Sequence, residues 1–109
     1  MTQIVKASVM YTGPGKEVLC VFVEPTPDLW IADPIDDDIA VFRVVDENEQ
    51  ETGEIAGVEI LDITTFSGWD SIPQDIPSMW QVEGRPPMPL VDLLRSIQEE
   101  LRRVQDKSQ

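Results

Sequence analysis

Glu59 and Asp62 interrupt the apolar run Ile55-Ala56-Gly57-Val58-Glu59-Ile60-Leu61-Asp62-Ile63, and Asp70 and Asp75 follow soon after. Neighbouring carboxylates can divide general acid and general base duties when their environments push their pKa values apart. In an extended strand, however, positions 59 and 62 point to opposite faces, so only a bulge would bring that pair together. A second acidic set, Asp33, Asp36, Asp37 and Asp38, raises divalent-metal binding. An EF-hand needs alternating oxygen ligands, a central glycine and a distal glutamate, and this spacing does not supply them; a solvated turn is the ordinary reading. The chain has no histidine, which removes the commonest general base and every triad that needs imidazole. Its single cysteine, Cys20, lies inside Val18-Leu19-Cys20-Val21-Phe22-Val23, where a thiol behaves as a small hydrophobe rather than as an accessible, electropositively placed nucleophile. Gly13-Pro14-Gly15-Lys16 is no phosphate loop, because Glu17 and a strand follow where a P-loop has Ser or Thr opening a helix. No cofactor is implied. The chemistry on offer reduces to a carboxylate-based divalent-metal-binding protein or hydrolase, as the alternative to a non-catalytic interaction or assembly module.

The elements that would position these residues are strands. Ile55 to Ile63 reads as a buried strand with Val58 and Ile60 on one face and Leu61 and Ile63 on the other, unless a bulge near Ile60 swaps them. Ile4 to Tyr11 alternates, with Val5, Ala7, Val9 and Tyr11 on the more buried face, and the turn Thr12 to Lys16 leads into a central strand, Glu17 to Glu24. Pro25 and Pro27 stop that strand. A short edge strand around Leu29-Trp30-Ile31 precedes the acidic corner Asp33 to Asp38, and Ile39 to Val45 forms a third long strand. The nine-residue loop Asp46 to Glu54 returns the chain antiparallel. If paired numbers in that hairpin sum to 102, Arg43 lies opposite Glu59 and the two form an ion pair inside the sheet.

Residues 4 to 65 carry a resemblance. A tyrosine-ended strand, an apolar second strand, an acidic turn, a valine-rich strand and then Gly57-Val58-Glu59-Ile60-Leu61-Asp62 resemble the small bacterial family catalogued as domain of unknown function 2283, which has Gly-Ile-Glu-Ile-Leu-Asp at that place. The resemblance implies an antiparallel β meander with no assigned activity, some of whose relatives are suspected partners of small toxin-like proteins. The Thr12-Gly13-Pro14-Gly15 turn and the long 46–54 loop depart from that pattern.

Beyond Thr64, Gly68, Gly84 and five prolines forbid any long regular element. Phe66, Trp69, Ile72, Ile76, Met79, Trp80 and Met88 are too apolar for a free linker, so residues 66–89 read as an ordered wrap over a sheet face, with a helical turn near Asp75 to Trp80. Trp69 and Trp80 are either core or the walls of an aromatic peptide groove. Pro89 opens one helix, residues 90–105, in which Leu90, Leu94, Ile97, Leu101 and Val104 share a stripe. That stripe packs on its own sheet or pairs with a second copy.

The expected fold class is therefore α+β: an antiparallel β meander of four or five strands, an ordered Pro/aromatic wrap and one C-terminal amphipathic helix, all in one domain over residues 1–109. Charge sharpens the functional reading. Residues 17–84 hold seventeen acids against the single base Arg43, in a chain of net charge −13. Such a body repels phosphate backbones and anionic lipid and steers basic proteins toward itself. The expected partner is a basic protein or a second copy, without nucleic acid or membrane. With no apolar run long enough for a signal peptide or a span, the expected address is the cytoplasm. The candidate interaction surface comprises Asp36, Asp37, Asp38, Trp69, Trp80, Leu94, Ile97 and Leu101.

Overall fold

The period-two apolar runs become strands, and the long 3.6-period stripe becomes the helix. The computed structural model describes residues 4–13, 16–72 and 79–107. In chain order these form β1 (Ile4–Thr12), β2 (Val18–Val23), β3 (Trp30–Asp36), β4 (Ile39–Val45), β5 (Glu51–Leu61), β6 (Met79–Val82) and α1 (Leu90–Lys107). Short 3-10 turns stand at Ile63–Thr65 and Trp69–Ser71. The sheet order is β3-β4-β5-β2-β1-β6, antiparallel throughout except for the parallel pair β1 and β6.

The α+β class holds, but the sheet is mixed and has six strands rather than four or five. The additional one is β6, whose Trp80 exchanges backbone hydrogen bonds with Met88 on its outer side, at 2.7 and 3.0 Å. A four-residue strand is too short for its periodicity to stand out among prolines. The expected helical turn near Asp75 to Trp80 is corrected at Met79 and Trp80, which are strand; Asp75 and Ile76 lie outside the described residues. β3 is longer than expected and takes Asp33, Pro34 and Asp36 into the sheet, so half of the acidic corner is strand. Proline is tolerated there because β3 is an edge.

The 46–54 loop shrinks to residues 46–50. Asp46 organises it, its Oδ1 accepting from the N–H groups of Asn48 (2.8 Å) and Gln50 (3.0 Å). β5 then carries a bulge. Phe42 sits opposite Gly57 but Arg43 opposite Ile55, leaving Ala56 as the extra residue. Ala56 consequently packs with Phe42 and Val44 on one face, while Ile55 joins the main core on the other. The bulge thus lies near Ala56, not near Ile60.

This register corrects the expected Arg43–Glu59 ion pair. Glu59 faces Ala40, and regular alternation from Ala40 to Arg43 puts Arg43 and Glu59 on opposite faces. Arg43 instead meets Asp33 at 3.0 Å and Glu51 at 3.7 Å. At the far end of β5, Asp62 adopts left-handed backbone (φ 52°, ψ 49°). The chain leaves the sheet there, and Ile63, expected on the face away from Val58 and Ile60, is carried into their core.

One face of the sheet is covered. Leu19, Val21, Val41, Val58 and Ile60 point from it toward Leu90, Leu93, Leu94 and Ile97 of α1, with Phe66, Ile72 and Trp80 in the same cluster. The helix thus packs on its own sheet. Buried Gln98 ties it to the wrap, its Nε2 donating to the carbonyls of Ile63 (2.7 Å) and Phe66 (2.9 Å). Arg102 adds a bond from Nε to the Thr64 carbonyl at 2.7 Å.

Two substitutions test this packing. Gln98→Met keeps the side-chain length but removes a buried donor from two carbonyls, and is expected to lower stability by about 1–3 kcal/mol. A Cβ on Gly57 would collide with the Val21 carbonyl oxygen and the Phe22 Cα across the ladder. Gly57→Ala is therefore expected to cost about 1–3 kcal/mol as an overpacking change. Both are read in urea as a lowered midpoint with unchanged slope.

Candidate interaction face

Among the described residues no helix lies over the second face of the sheet. Strand pairing builds it in rows. One row runs Met10, Cys20, Glu59, Ala40, Pro34; the next runs Ser8, Phe22, Gly57, Phe42, Ala32. Thr12, Val18 and Leu61 flank them on one side, and Val44 with Trp30 on the other. Across these rows the single charged residue is Glu59. The seventeen acids of the central stretch therefore do not spread evenly over the surface: the middle of this face is apolar in a chain of net charge −13.

Aromatic packing organises the face. Phe22 and Phe42 stack almost parallel, with centroids 5.2 Å apart and 7° between planes. Trp30 tilts against Phe42 at 4.6 Å and against Phe22 at 5.9 Å. Phe42 is itself buried, together with Val44 and Ala56, whereas Trp30 remains 38% and Met10 63% exposed. Aromatic side chains fixed by their neighbours offer large contact area at small entropic cost. Glu59 and Cys20 sit together in the middle, Sγ to Oε2 at 3.8 Å. Burial, then the Glu59 charge and its hydrogen bond, push the Cys20 thiol above its ordinary value. The thiol is thus held protonated beside the carboxylate, which suits packing and not nucleophilic attack.

The residues singled out from sequence fall in other places. Trp80 and Leu94 are fully buried and Ile97 nearly so. They form core, which corrects their assignment to an interaction surface and removes the Trp69–Trp80 groove. Leu101 is half-buried at the helix end. Trp69 is half-buried too, edge-on to Phe66 at 4.8 Å, with the Arg95 guanidinium 5.2 Å from its ring centroid. Asp36, Asp37 and Asp38 are exposed at the β3–β4 hairpin, where Asp36 accepts from the Asp37 N–H at 2.8 Å and from the Ser71 hydroxyl at 3.3 Å. Glu59 stands in the open face, Asp62 ends β5 and Asp70 is exposed in a 3-10 turn. Asp75 lies outside the described residues. Among the described residues no three of Cys, Asp and Glu cluster as a metal site, and no helix is long and apolar enough to cross a membrane.

Buried Glu17 is a further carboxylate the sequence did not single out. It accepts from the Tyr11 hydroxyl and, at 2.5 Å, from the Thr64 hydroxyl. It thereby fastens the β1–β2 hairpin to the start of the wrap, a structural duty. Comparisons with protein-family models, curated proteins and solved structures find no match.

The environment of Cys20 is open to titration. Its folded thiol keeps its proton to higher pH than an unstructured one, so alkylation by iodoacetamide at pH 8 is expected to run slower than in the urea-unfolded chain. Glu59→Gln removes the charge that adds to the burial effect, and the folded rate is expected to rise several-fold; an unchanged rate would leave burial as the whole cause.

Proposed function

We propose that this protein is a non-catalytic binding module that docks a basic protein on the uncovered face of its sheet. One observation supports the reading above the others: Phe22, Trp30 and Phe42 form a fixed aromatic cluster on a sheet face that carries one central charge and no covering helix. Exposed apolar patches framed by polar residues mark interaction sites. The surrounding acids supply long-range attraction for a positively charged partner, and the aromatic rows supply the desolvated contact once it arrives. The use of Asp46 as a turn cap, of Asp33 and Glu51 in ion pairs with Arg43, and of Glu17 as a hairpin fastener is in keeping with this reading.

A pull-down from the source cells tests it, with wild type compared against Met10→Lys and Trp30→Ser at low and high salt. The expected result is one basic protein, identified by mass spectrometry, retained by wild type at low salt. It is reduced at least tenfold by either substitution and weakened by salt, as screening of charge attraction requires. A protein retained equally by wild type and both variants would place binding elsewhere on the surface.

A further inference from the structure

β3 is the last strand on its side of the sheet. The Leu29 carbonyl accepts from the Val45 N–H at 3.1 Å, and Ile31 and Asp33 pair with Arg43 and Val41. Hydrogen-bonding positions alternate along an antiparallel pair, so the backbone N–H and C=O of Trp30 and Ala32 face outward, away from β4. The second half of this edge is guarded. Pro34 has no N–H to offer, and Asp33 and Asp36 bring charge, both recognised ways of stopping a strand from pairing further. The first half has no such guard. Leu29, Trp30 and Ile31 are 47%, 38% and 45% exposed, and no charge lies between Leu29 and Ala32.

We propose that this half-edge, Leu29 to Ala32, receives an extended segment of the partner as an added strand, and that the segment alternates apolar residues with Lys or Arg. The inference rests on the reading of the uncovered face as the docking surface, and it names how the partner engages it. Outward-facing backbone groups at Trp30 and Ala32 require an extended chain, because only a strand presents donors and acceptors at that repeat. On the open face its side chains continue the Trp30–Phe42–Phe22 cluster, which selects β-branched or aromatic residues. Asp28 and Asp33 bracket the site, so a cation of the segment meets Asp28 at one end and shares Asp33 with Arg43, 3.0 Å away, at the other. A second copy fits badly. Antiparallel self-pairing about Ile31 would set Asp33 opposite Leu29 and push the acidic run 33–38 of each copy toward Glu24 and Asp28 of the other, between bodies of charge −13.

The test uses the full chain, isotope-labelled, and three synthetic peptides: acetylated Lys-Val-Lys-Val-Lys-Val, its glutamate counterpart, and the lysine peptide methylated on alternate amides. Ala32→Pro removes one outward N–H without touching the β4 ladder. The expected result is that the lysine peptide slows amide exchange at Trp30 and Ala32 and binds Ala32→Pro at least tenfold more weakly. The glutamate and methylated peptides are expected not to bind. Equal binding to wild type and Ala32→Pro, or no protection of either amide, overturns strand addition. If resonances of Met10, Cys20 and Phe22 shift in that case, the docking face survives while the edge mode fails. Absence of binding by all three peptides, or dimerisation detected by solution mass in place of binding, also overturns it, with the pull-down variants left to judge the face itself.

Discussion

A single helix has to serve a sheet with two faces, and most features of the molecule follow from that shortage. The 18 residues of α1 span about 27 Å at 1.5 Å per residue, and with side chains a helix is roughly 10–12 Å across. Six strands at about 4.8 Å separation make a sheet too broad for one such rod to cover even on one side. The 3-10 turns and their Phe66, Trp69 and Ile72 complete the covered side, held to the helix by Gln98 and Arg102. Nothing comparable crosses the other side among the described residues. There the chain compensates internally: Phe22 and Phe42 lie flat on one another, Trp30 leans over them, and Gly57 lets β2 and β5 approach closely underneath. The aromatic cluster shields its own backbone and still leaves a greasy exterior.

The charge distribution answers the same shortage. An exposed apolar sheet face invites copies to stack, and a large net negative charge opposes that stacking. The acids collect in the hairpins, at the edge and in the loops: Asp36 to Asp38 between β3 and β4, Asp46 to Glu54 around the next turn, Asp62 at the end of β5 and Asp70 in a 3-10 turn. The middle rows of the open face contain one of them, Glu59. Repulsion between like-charged bodies and attraction for cations arise from the same net charge, and both weaken with ionic strength.

Much of this was legible in the sequence, for identifiable reasons. The bounds of β4 are legible to the residue because Ile39 to Val45 is an uninterrupted β-branched and aromatic run between turn signals; the start of α1 is legible from Pro89 and a stripe of five apolar residues at alternating spacings of four and three, while its end lies at Lys107 rather than at 105. The parallel strand β6 was not, since four residues among prolines carry no period and the pairing is set by distant packing of Trp80. The candidate site was missed for a different reason. The apolar character of β2 and β4 on both faces is visible in the sequence, as is a single long helical stripe, but the acidic corner and the tryptophans beyond Thr64 carry the stronger local signals. Counting faces against available covers would have found Phe22, Trp30 and Phe42. Trp80, Leu94 and Ile97, taken as surface, are what the one covered face consumes.

The bulge at Ala56 decides the chemistry of the open face. In an unbroken hairpin with Arg43 opposite Glu59, the two would share a face and neutralise each other within the sheet. The extra residue at Ala56 switches the face of the β5 positions beyond it, so Glu59 stands between Ala40 and Cys20 on the open side while Arg43 meets Asp33 and Glu51 on the covered side; a second register shift lies between Arg43 and Val45. Its carboxylate is then a single negative charge in an apolar field. Covering it with an apolar surface strips its water without replacement, which costs several kcal/mol; covering it with a cation in the right position satisfies it. An apolar cover over Glu59 is therefore costly, and a cationic one less so. A local irregularity of backbone register, invisible to composition, is what places this carboxylate on the uncovered face.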